Sequence, residues 1–268
     1  MSRRWLITGV SGGLGRALAV EALARGDRVA GTLRRNQELG AFSALAPGRA
    51  FPILLDVTDP DPAPAIEASI RSLGGLDVVV NNAGYALIGA VEDISMEEAR
   101  LEVETNFFGT AKIVKAVLPF LRNQGRGHIV NVASVGGAAG IPLFAYYCAS
   151  KFAVVGFTAA LAKEVASFGI RATAIEPGGL PTNFGRSSLH VAADPSPPYA
   201  ASTEDLAGKL SLAKDRAQND LGRAAAAIIA LTEMADPPVH AAFGPDGLKA
   251  VRAALEARLS DYARAEGL

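Results

Sequence analysis

Tyr147 and Lys151 stand four residues apart in the run Tyr146-Tyr147-Cys148-Ala149-Ser150-Lys151. On a helix they share one face, while Tyr146, five residues from the lysine, points well around it. A phenol ionises near pH ~10. A neighbouring ammonium favours the phenolate, so the pair would make an acid or base able to exchange a proton with an oxygen near neutral pH. Taken alone, the same spacing is as easily a chance neighbourhood on a structural helix. A second chemical signal opens the chain, where Thr8 to Gly15 reads TGVSGGLG. Glycines allow close approach of backbone to a ligand, and the N–H groups that open a helix favour an anion, so the run suits a phosphate. An ordinary glycine turn is the plain alternative.

Both runs need elements to hold them. Trp5 to Thr8 is short, apolar and partly β-branched, and Leu14, Leu18, Ala19, Ala22 and Leu23 recur at helical spacing. The glycines therefore join a strand to a helix. Further short apolar strands are expected at Arg28–Leu33, Phe51–Leu55, Leu76–Val80, Gly127–Val132 and Ile170–Ile175, alternating with helical stretches over about 63–73, 95–122 and 145–168. The continuous run Val78-Val79-Val80 suits a parallel sheet covered on both faces. Ser95 and Glu98 have capping-box spacing at a helix start. The βα rhythm predicts an α/β fold: a doubly wound parallel sheet of the Rossmann kind, in a single domain over residues 1–268. Asp56, Asn81-Asn82-Ala83-Gly84, Ser134 and Pro177-Gly178 then all fall at the carboxyl ends of expected strands. Each has a plain explanation as a cap, turn or strand exit. Together they mark the edge on which open α/β sheets bind ligands.

The rhythm breaks after Pro177, where Leu180 to Thr203 reads LPTNFGRSSLHVAADPSPPYAAST. So long a connection is expected to be a lid-like loop over a substrate. Helical periodicity returns at Leu221–Met234, followed by a short strand near Val239–Phe243 and a terminal helix from Leu248 to Ala263.

Composition narrows the classes. Over 268 residues half are hydrophobic, a fifth are charged and the formal net charge is −1, as in a soluble globular protein with a sizeable core. Arginines and lysines are spread along the sequence, so no nucleic-acid partner is expected. No run of transmembrane length is evident and none resembles a signal-peptide core. With the one cysteine, Cys148, a reducing cytoplasmic setting is expected. His128, His190 and His240 lie dozens of residues apart, and no metal site is expected.

Taken in order, TGxxxGxG at Thr8–Gly15, Asp56, the NNAG at 81–84, Asn106, Ser134, YxxxK at 147–151 and PGxxxT at Pro177–Thr182 resemble the short-chain dehydrogenase/reductase family over nearly the whole chain. The terminal region from Pro237 to Asp246 is similar to the branch containing retinol- and hydroxysteroid-dehydrogenase-like bacterial oxidoreductases. The resemblance implies that Tyr147 exchanges a proton with the substrate oxygen and that Ser134 hydrogen-bonds the same oxygen. It implies that Lys151 holds the nicotinamide ribose and depresses the Tyr147 pKa, while Asn106 positions a water linking Lys151 to solvent. Asparagine is a poor helix-interior residue, a local inconsistency of the kind found at sites. Gly9, Ser11, Gly13, Leu14 and Gly15 would pack against the cofactor phosphates. Asp56 and Val57 would contact adenine, Asn82, Ala83 and Gly84 would line the adenosine side, and Pro177, Gly178 and Thr182 would reach the pyrophosphate or carboxamide.

Members that prefer NAD usually carry an acidic residue at the end of the second strand, a place held here by Leu33, followed by Arg34 and Arg35. Arg34 could pair with a 2′-phosphate, so NADP(H) is expected over NAD(H). The expected activity is hydride transfer between the nicotinamide and a carbonyl or secondary alcohol of a moderately apolar small molecule. The same fold would also serve a catalytically idle nicotinamide-sensing protein. Family members that lose activity commonly lack the Tyr or Lys, whereas both stand here. The resemblance further implies a homodimer or homotetramer.

Overall fold

The computed structural model describes residues 2–179, 189–216 and 220–267. The first strand, β1 (Arg4–Ile7), runs through the Thr8–Gly15 turn into α1 (Gly13–Ala24). The chain continues through β2 (Arg28–Leu33), α2 (Leu39–Ser43), β3 (Ala50–Leu54), α3 (Ala63–Leu73), β4 (Val78–Asn81) and β5 (Ala86–Ile88). Next come α4 (Met96–Val103), α5 (Gly109–Gln124), β6 (Gly127–Val132), α6 (Ala145–Val165), β7 (Ile170–Pro177) and β8 (Leu189–Val191). α7 (Pro197–Arg216), α8 (Leu221–Glu233), β9 (His240–Phe243) and α9 (Pro245–Arg264) complete the order.

Seven strands form one parallel sheet in the order β3-β2-β1-β4-β6-β7-β9. The path moves outward from β1 to β3, then returns to place β4 on the other side of β1. That reversal opens a crevice at the carboxyl ends of β1 and β4, where such sheets bind ligands. Alternation along β1 divides the core into its two layers. Trp5 and Ile7 join Leu18, Leu23, Ile228 and Ile229 on one face, and Leu6 joins Ile66, Val79, Ile113, Val117 and Ile129 on the other. Ser95 caps α4 through the expected capping box with Glu98.

Three features depart from the sequence reading. The helix expected over 95–122 is interrupted by a π-helical turn at Glu104–Phe108, a wide turn that tends to occur at functional sites. Leu180 to Thr203 is not one long loop, for β8 pairs in parallel with β5 and α7 begins at Pro197. Prolines signal a break from sequence, yet they are well tolerated in a first helical turn, where the missing N–H has no partner to lose. β5 and β8 are three residues each, too short to carry a periodicity. Finally, Ala145–Phe168 is long and apolar enough by length and composition to cross a membrane. It is a wall of the core here, with Val154, Leu161 and Val165 buried.

Arginines scattered in sequence converge at the amino ends of the strands. Arg3 donates to the Thr232 hydroxyl (2.7 Å) and carbonyl (3.1 Å), Arg4 to Gly74 O (2.6 Å), Arg28 to Ser72 O (2.9 Å) and Arg171 to Met234 O (3.3 Å). They satisfy carbonyls left over where α3 and α8 end. Asp77 is one anion among them, accepting from Arg4 N at 3.0 Å, Nε at 2.8 Å and Nη2 at 2.7 Å.

The Arg4 hydrogen bonds and charge hold the Asp77 carboxyl below its ordinary range despite the opposing effect of burial. A lowered folded-state pKa stabilises above the ordinary carboxylate range, and that contribution is lost as pH falls through the folded value. Asp77→Asn is expected to cost about 1.5–3 kcal/mol at neutral pH, the range for hydrogen bonds to charged groups. Urea unfolding of the two proteins should show the gap closing toward acid pH.

Candidate active site

The turn after β1 is built for close backbone approach. Gly9 and Gly13 have φ of +73° and +57°, a region costly for side-chain-bearing residues. Gly9 N donates to Thr32 Oγ1 at 3.0 Å. Across the crevice, Thr8 Oγ1 accepts from Asn82 N (2.9 Å) and Ala83 N (3.0 Å). Asn82 Nδ2 donates back to Thr8 O (2.9 Å) and Gly9 O (3.1 Å). A Cβ at Gly15 would lie 2.4 Å from Asn82 Nδ2 and 2.5 Å from Gly9 O. Gly12 precedes α1 without a capping side chain; Ser11 is exposed and Leu14 is buried. A backbone loop of this shape, opening onto an uncapped helix start, fits a pyrophosphate.

At the neighbouring strand ends, Leu33 is buried, Arg34 is exposed and Arg35 pairs with Glu38. Asp56 Oδ1 accepts from Thr58 N (2.9 Å) and Thr58 Oγ1 (2.8 Å). Val57 is buried, and a Cβ on Gly109 would lie 2.8 Å from its Cγ2. Gly178 follows Pro177 at the end of β7 and donates to Phe243 O (3.2 Å), while Gly179 N donates to Asp246 Oδ2 (2.9 Å). Thr182 lies outside the described residues.

Four side chains from three segments stand at the end expected from sequence to take the nicotinamide. Ser134, at the carboxyl end of β6, accepts from Gly136 N (3.1 Å) and hydrogen-bonds the Tyr147 side chain. Tyr147 is buried early in α6. Lys151 lies one turn on, its Nζ donating to Val132 O at 2.9 Å and standing 5.8 Å from the Tyr147 ring centroid. Asn106, in the π-helical turn, accepts from Tyr85 N (3.0 Å) and donates to Tyr85 O (2.9 Å) and Ser150 Oγ (3.0 Å). Ser150 in turn donates to Tyr147 O (2.7 Å). The Asn106 amide is thus spent on protein partners, and its main-chain carbonyl accepts from Thr110 Oγ1 at 3.0 Å.

The electrostatics correct one sequence expectation. Burial pushes the Tyr147 phenol well above its ordinary pKa; the Ser134 bond lowers it, and Glu102 and Cys148 raise it. Burial also pushes Lys151 down to about 8, with Glu102 acting the other way. The lysine was expected to depress the phenol. Both groups are removed from water, which disfavours either charge, and Lys151 directs its Nζ to the Val132 carbonyl.

An apolar wall flanks Tyr147. Ala86, Ile88, Phe144 and Cys148 pack with it, and Leu189 of β8 and Leu206 and Leu210 of α7 pack over them. Val191 of β8 and Tyr199 of α7 are exposed. The sequence reading missed Glu102, Ser150 and Asp246. Glu102 lies one helical turn before Asn106, a spacing that places them on one face; Asp246 had no local signal pointing to Gly179.

A family model described as short chain dehydrogenase matches residues 3–191. Oxidoreductase BOA17 of Botryotinia fuckeliana (strain B05.10) is 40% identical over 251 residues, covering 93% of this chain and 91% of that protein. Retinol dehydrogenase 8 of Bos taurus is 39% identical over 191 residues, 68% of this chain and 60% of that one. Among solved structures, a short-chain dehydrogenase from Streptomyces avermitilis superimposes with a TM-score of 0.90 at 35% identity, covering 98% of this chain and 95% of that one. The fold also recurs at 23% identity in a Burkholderia phymatum protein solved with NAD (TM-score 0.81; 96% of this chain, 95% of that) and a Burkholderia cenocepacia protein solved with NADP (0.75; 100% and 98%).

Gly15→Ala tests the turn. The added methyl has no room between Asn82 and Gly9 O, so a loss of about 1–3 kcal/mol is expected, as for other overpacked sites. Thermal unfolding measures it, and dinucleotide affinity should fall in the same variant.

Proposed function

The chain belongs to the short-chain dehydrogenase/reductase family and is an NAD(P)-dependent oxidoreductase, and from that premise we propose that it reduces a moderately apolar ketone or aldehyde with NADPH. The observation that carries this reading is the hydrogen-bonded Ser134–Tyr147 pair, buried beside Lys151 against a wall of Leu189, Leu206 and Leu210.

When bound, the nicotinamide supplies the hydride. Gly9, Ser11, Gly13, Leu14 and Gly15 would hold its phosphates, Asp56 and Val57 its adenine, Asn82, Ala83 and Gly84 the adenosine side, and Pro177 and Gly178 the far end. Ser134 accepts from Gly136 N and directs its hydroxyl to the substrate oxygen. Tyr147 gives its proton to that oxygen as the carbonyl becomes an alkoxide. Its raised pKa keeps the phenol protonated at neutral pH, which supports reduction as the favoured direction. Lys151 binds ribose hydroxyls with its Nζ, and the Asn106 carbonyl holds a water that returns a proton toward it.

The preference for NADPH rests on Arg34, exposed at the carboxyl end of β2, where no acidic residue competes and Glu38 engages Arg35 instead. Within the stretch expected as a lid, β8 and the start of α7 cover the substrate side. Half-buried Phe157 on α6, exposed Leu101 on α4 and exposed Phe108 in the π-helical turn support a homodimer or homotetramer built through those helices. The idle-sensor alternative keeps the cradle and loses the acid; the buried Tyr147–Ser134 bond favours the enzyme.

Arg34→Ala is expected to weaken NADPH by roughly tenfold to a hundredfold, the worth of one hydrogen bond to a charged group, and to leave NADH unchanged in a direct binding titration. Equal losses for both cofactors would remove the 2′-phosphate assignment.

Tyr147→Phe should keep the fold and cofactor affinity while turnover falls ~10²–10⁴-fold, the usual share of a positioned acid. Tyr146→Phe is the control, since its hydroxyl reaches Val91 O at 3.4 Å on another face. Single-turnover NADPH oxidation with a panel of apolar ketones checks both. Tight NADPH binding with no substrate turned over by the parent would favour the sensor.

A further inference from the structure

Leu143, in the turn that leads into α6, has φ of +66° and is the one described residue other than glycine in the left-handed region. That region crowds a Cβ against the backbone, and a bulky residue there is strained unless its surroundings impose the conformation. Two hydrogen bonds impose it. Gly89 N, just past β5, donates to Leu143 O at 2.9 Å, and Phe144 N donates to Ile141 O at 3.1 Å, closing the turn. Gly89 is itself confined, for a Cβ on it would lie 2.9 Å from the Ala192 Cβ and 3.0 Å from the Ile94 Cγ1. These bonds explain the backbone and do not call for a leucine. Glycine or asparagine would supply the same carbonyl with less strain.

What leucine adds is its side chain. Leu143 packs against the cluster that contains Phe144, Tyr147 and Cys148, as Leu189, Leu206 and Leu210 also do. Unlike Phe144, which is buried, Leu143 is only half-buried and keeps part of its aliphatic surface open. A strained backbone is thus retained for a side chain that the protein itself covers incompletely, beside the proposed acid. Strain of this kind collects at ligand-binding positions.

We propose that Leu143 is a specificity-determining residue, whose open surface receives the apolar substituent on the carbonyl carbon next to the oxygen that Tyr147 protonates. The proposal rests on the carbonyl-reductase reading above and narrows it. The favoured substrate carries an extended aliphatic or aromatic group directly on its carbonyl carbon. A charged or hydroxylated group at that place is disfavoured, because Leu143 offers no partner for the hydrogen bonds it would give up to water.

The test compares parent, Leu143→Gly, Leu143→Ala, Leu143→Met and Tyr147→Phe as full-chain, NADPH-loaded enzyme on linear methyl ketones from acetone to methyl hexyl ketone. The quantity read is the ratio of kcat/KM for the longest ketone to that for acetone. It should fall at least about tenfold in Leu143→Gly and Leu143→Ala, the discrimination that a lost methylene contact carries in an apolar pocket. Leu143→Met returns the volume in an adaptable side chain and should recover most of the ratio. A merely structural role would alter both ketones alike and leave the ratio in place. Thermal unfolding reads the strain without activity. Both small variants lose the leucine contacts and only glycine relieves the backbone, so Leu143→Gly should melt above Leu143→Ala by about 2–4 °C. At an ordinary φ the order is reversed, since glycine has more freedom to lose on folding. An unmoved ratio, a ratio lost in Leu143→Met as fully as in Leu143→Ala, or Leu143→Ala melting level with or above Leu143→Gly overturns the proposal. If the parent reduces none of the series, or Tyr147→Phe turns over like the parent, the carbonyl-reductase reading itself fails; an inactive Tyr147→Phe beside an unmoved ratio removes Leu143 alone.

Discussion

The reciprocal hydrogen bonds between Thr8 and Asn82 hold the whole carboxyl edge in register. Thr8 Oγ1 accepts from two successive N–H groups of the segment after β4, and the Asn82 amide returns two bonds to the carbonyls of Thr8 and Gly9. These groups sit where the strand order reverses, the one place where two neighbouring strands diverge into different loops. Without the clamp, a glycine-rich turn would have many conformations to lose on folding. With it, the turn is fixed before any ligand arrives, so less ordering is charged against binding.

The same constraint extends beneath the reacting side chains as a ladder of buried amides and hydroxyls. Asn81 donates to Asn131 (2.8 Å), Asn131 to Thr158 (2.8 Å) and Thr158 to Val154 O (2.7 Å). It ties β4, β6 and α6 together below Ser134 and Lys151. Polar groups in an apolar core are costly unless paired. Asn81 to Asn131 and Asn131 to Thr158 pair across elements, and Lys151 adds a bond to Val132 O, so a shift of α6 relative to the sheet would break the Thr158 and Lys151 bonds together. The Tyr147–Ser134 geometry is rigid for that reason.

Much of this was legible in the sequence, because strand and helix periodicities are properties of short windows. β2, α3 and β6 fall at the expected limits, and the marked positions of the cradle gather on one edge. What was not legible depended on distance in the fold. The π-helical turn is a response to Asn106 satisfying Tyr85 and Ser150, residues 21 and 44 positions away. The depressed phenol pKa was inferred from the neighbouring charge and from the family resemblance, neither of which reports burial; burial reversed it. Glu102 reads as one acid among several in Glu97-Glu98-Ala99-Arg100-Leu101-Glu102, and only its burial and the bond from Leu87 N separate it from its solvated neighbours.

The two halves of the site are held to different standards. Cradle and proton-transfer groups rest on the seven-stranded sheet, whereas the substrate wall rests on β5 and β8, a two-stranded ladder of three residues each. Such a ladder is marginal alone, so its position depends on Leu189, Leu206 and Leu210 packing over Phe144 and Tyr147. Apolar contacts of this kind are non-directional and tolerate exchange of side chains far better than hydrogen-bonded networks do. A wall of this construction can open or be reshaped at small cost while the Thr8–Asn82 clamp and the amide ladder stay closed. On the proposed reading, substrate choice and proton transfer therefore reside in parts of the molecule with separate stabilities, and Tyr147 is the residue at which they touch.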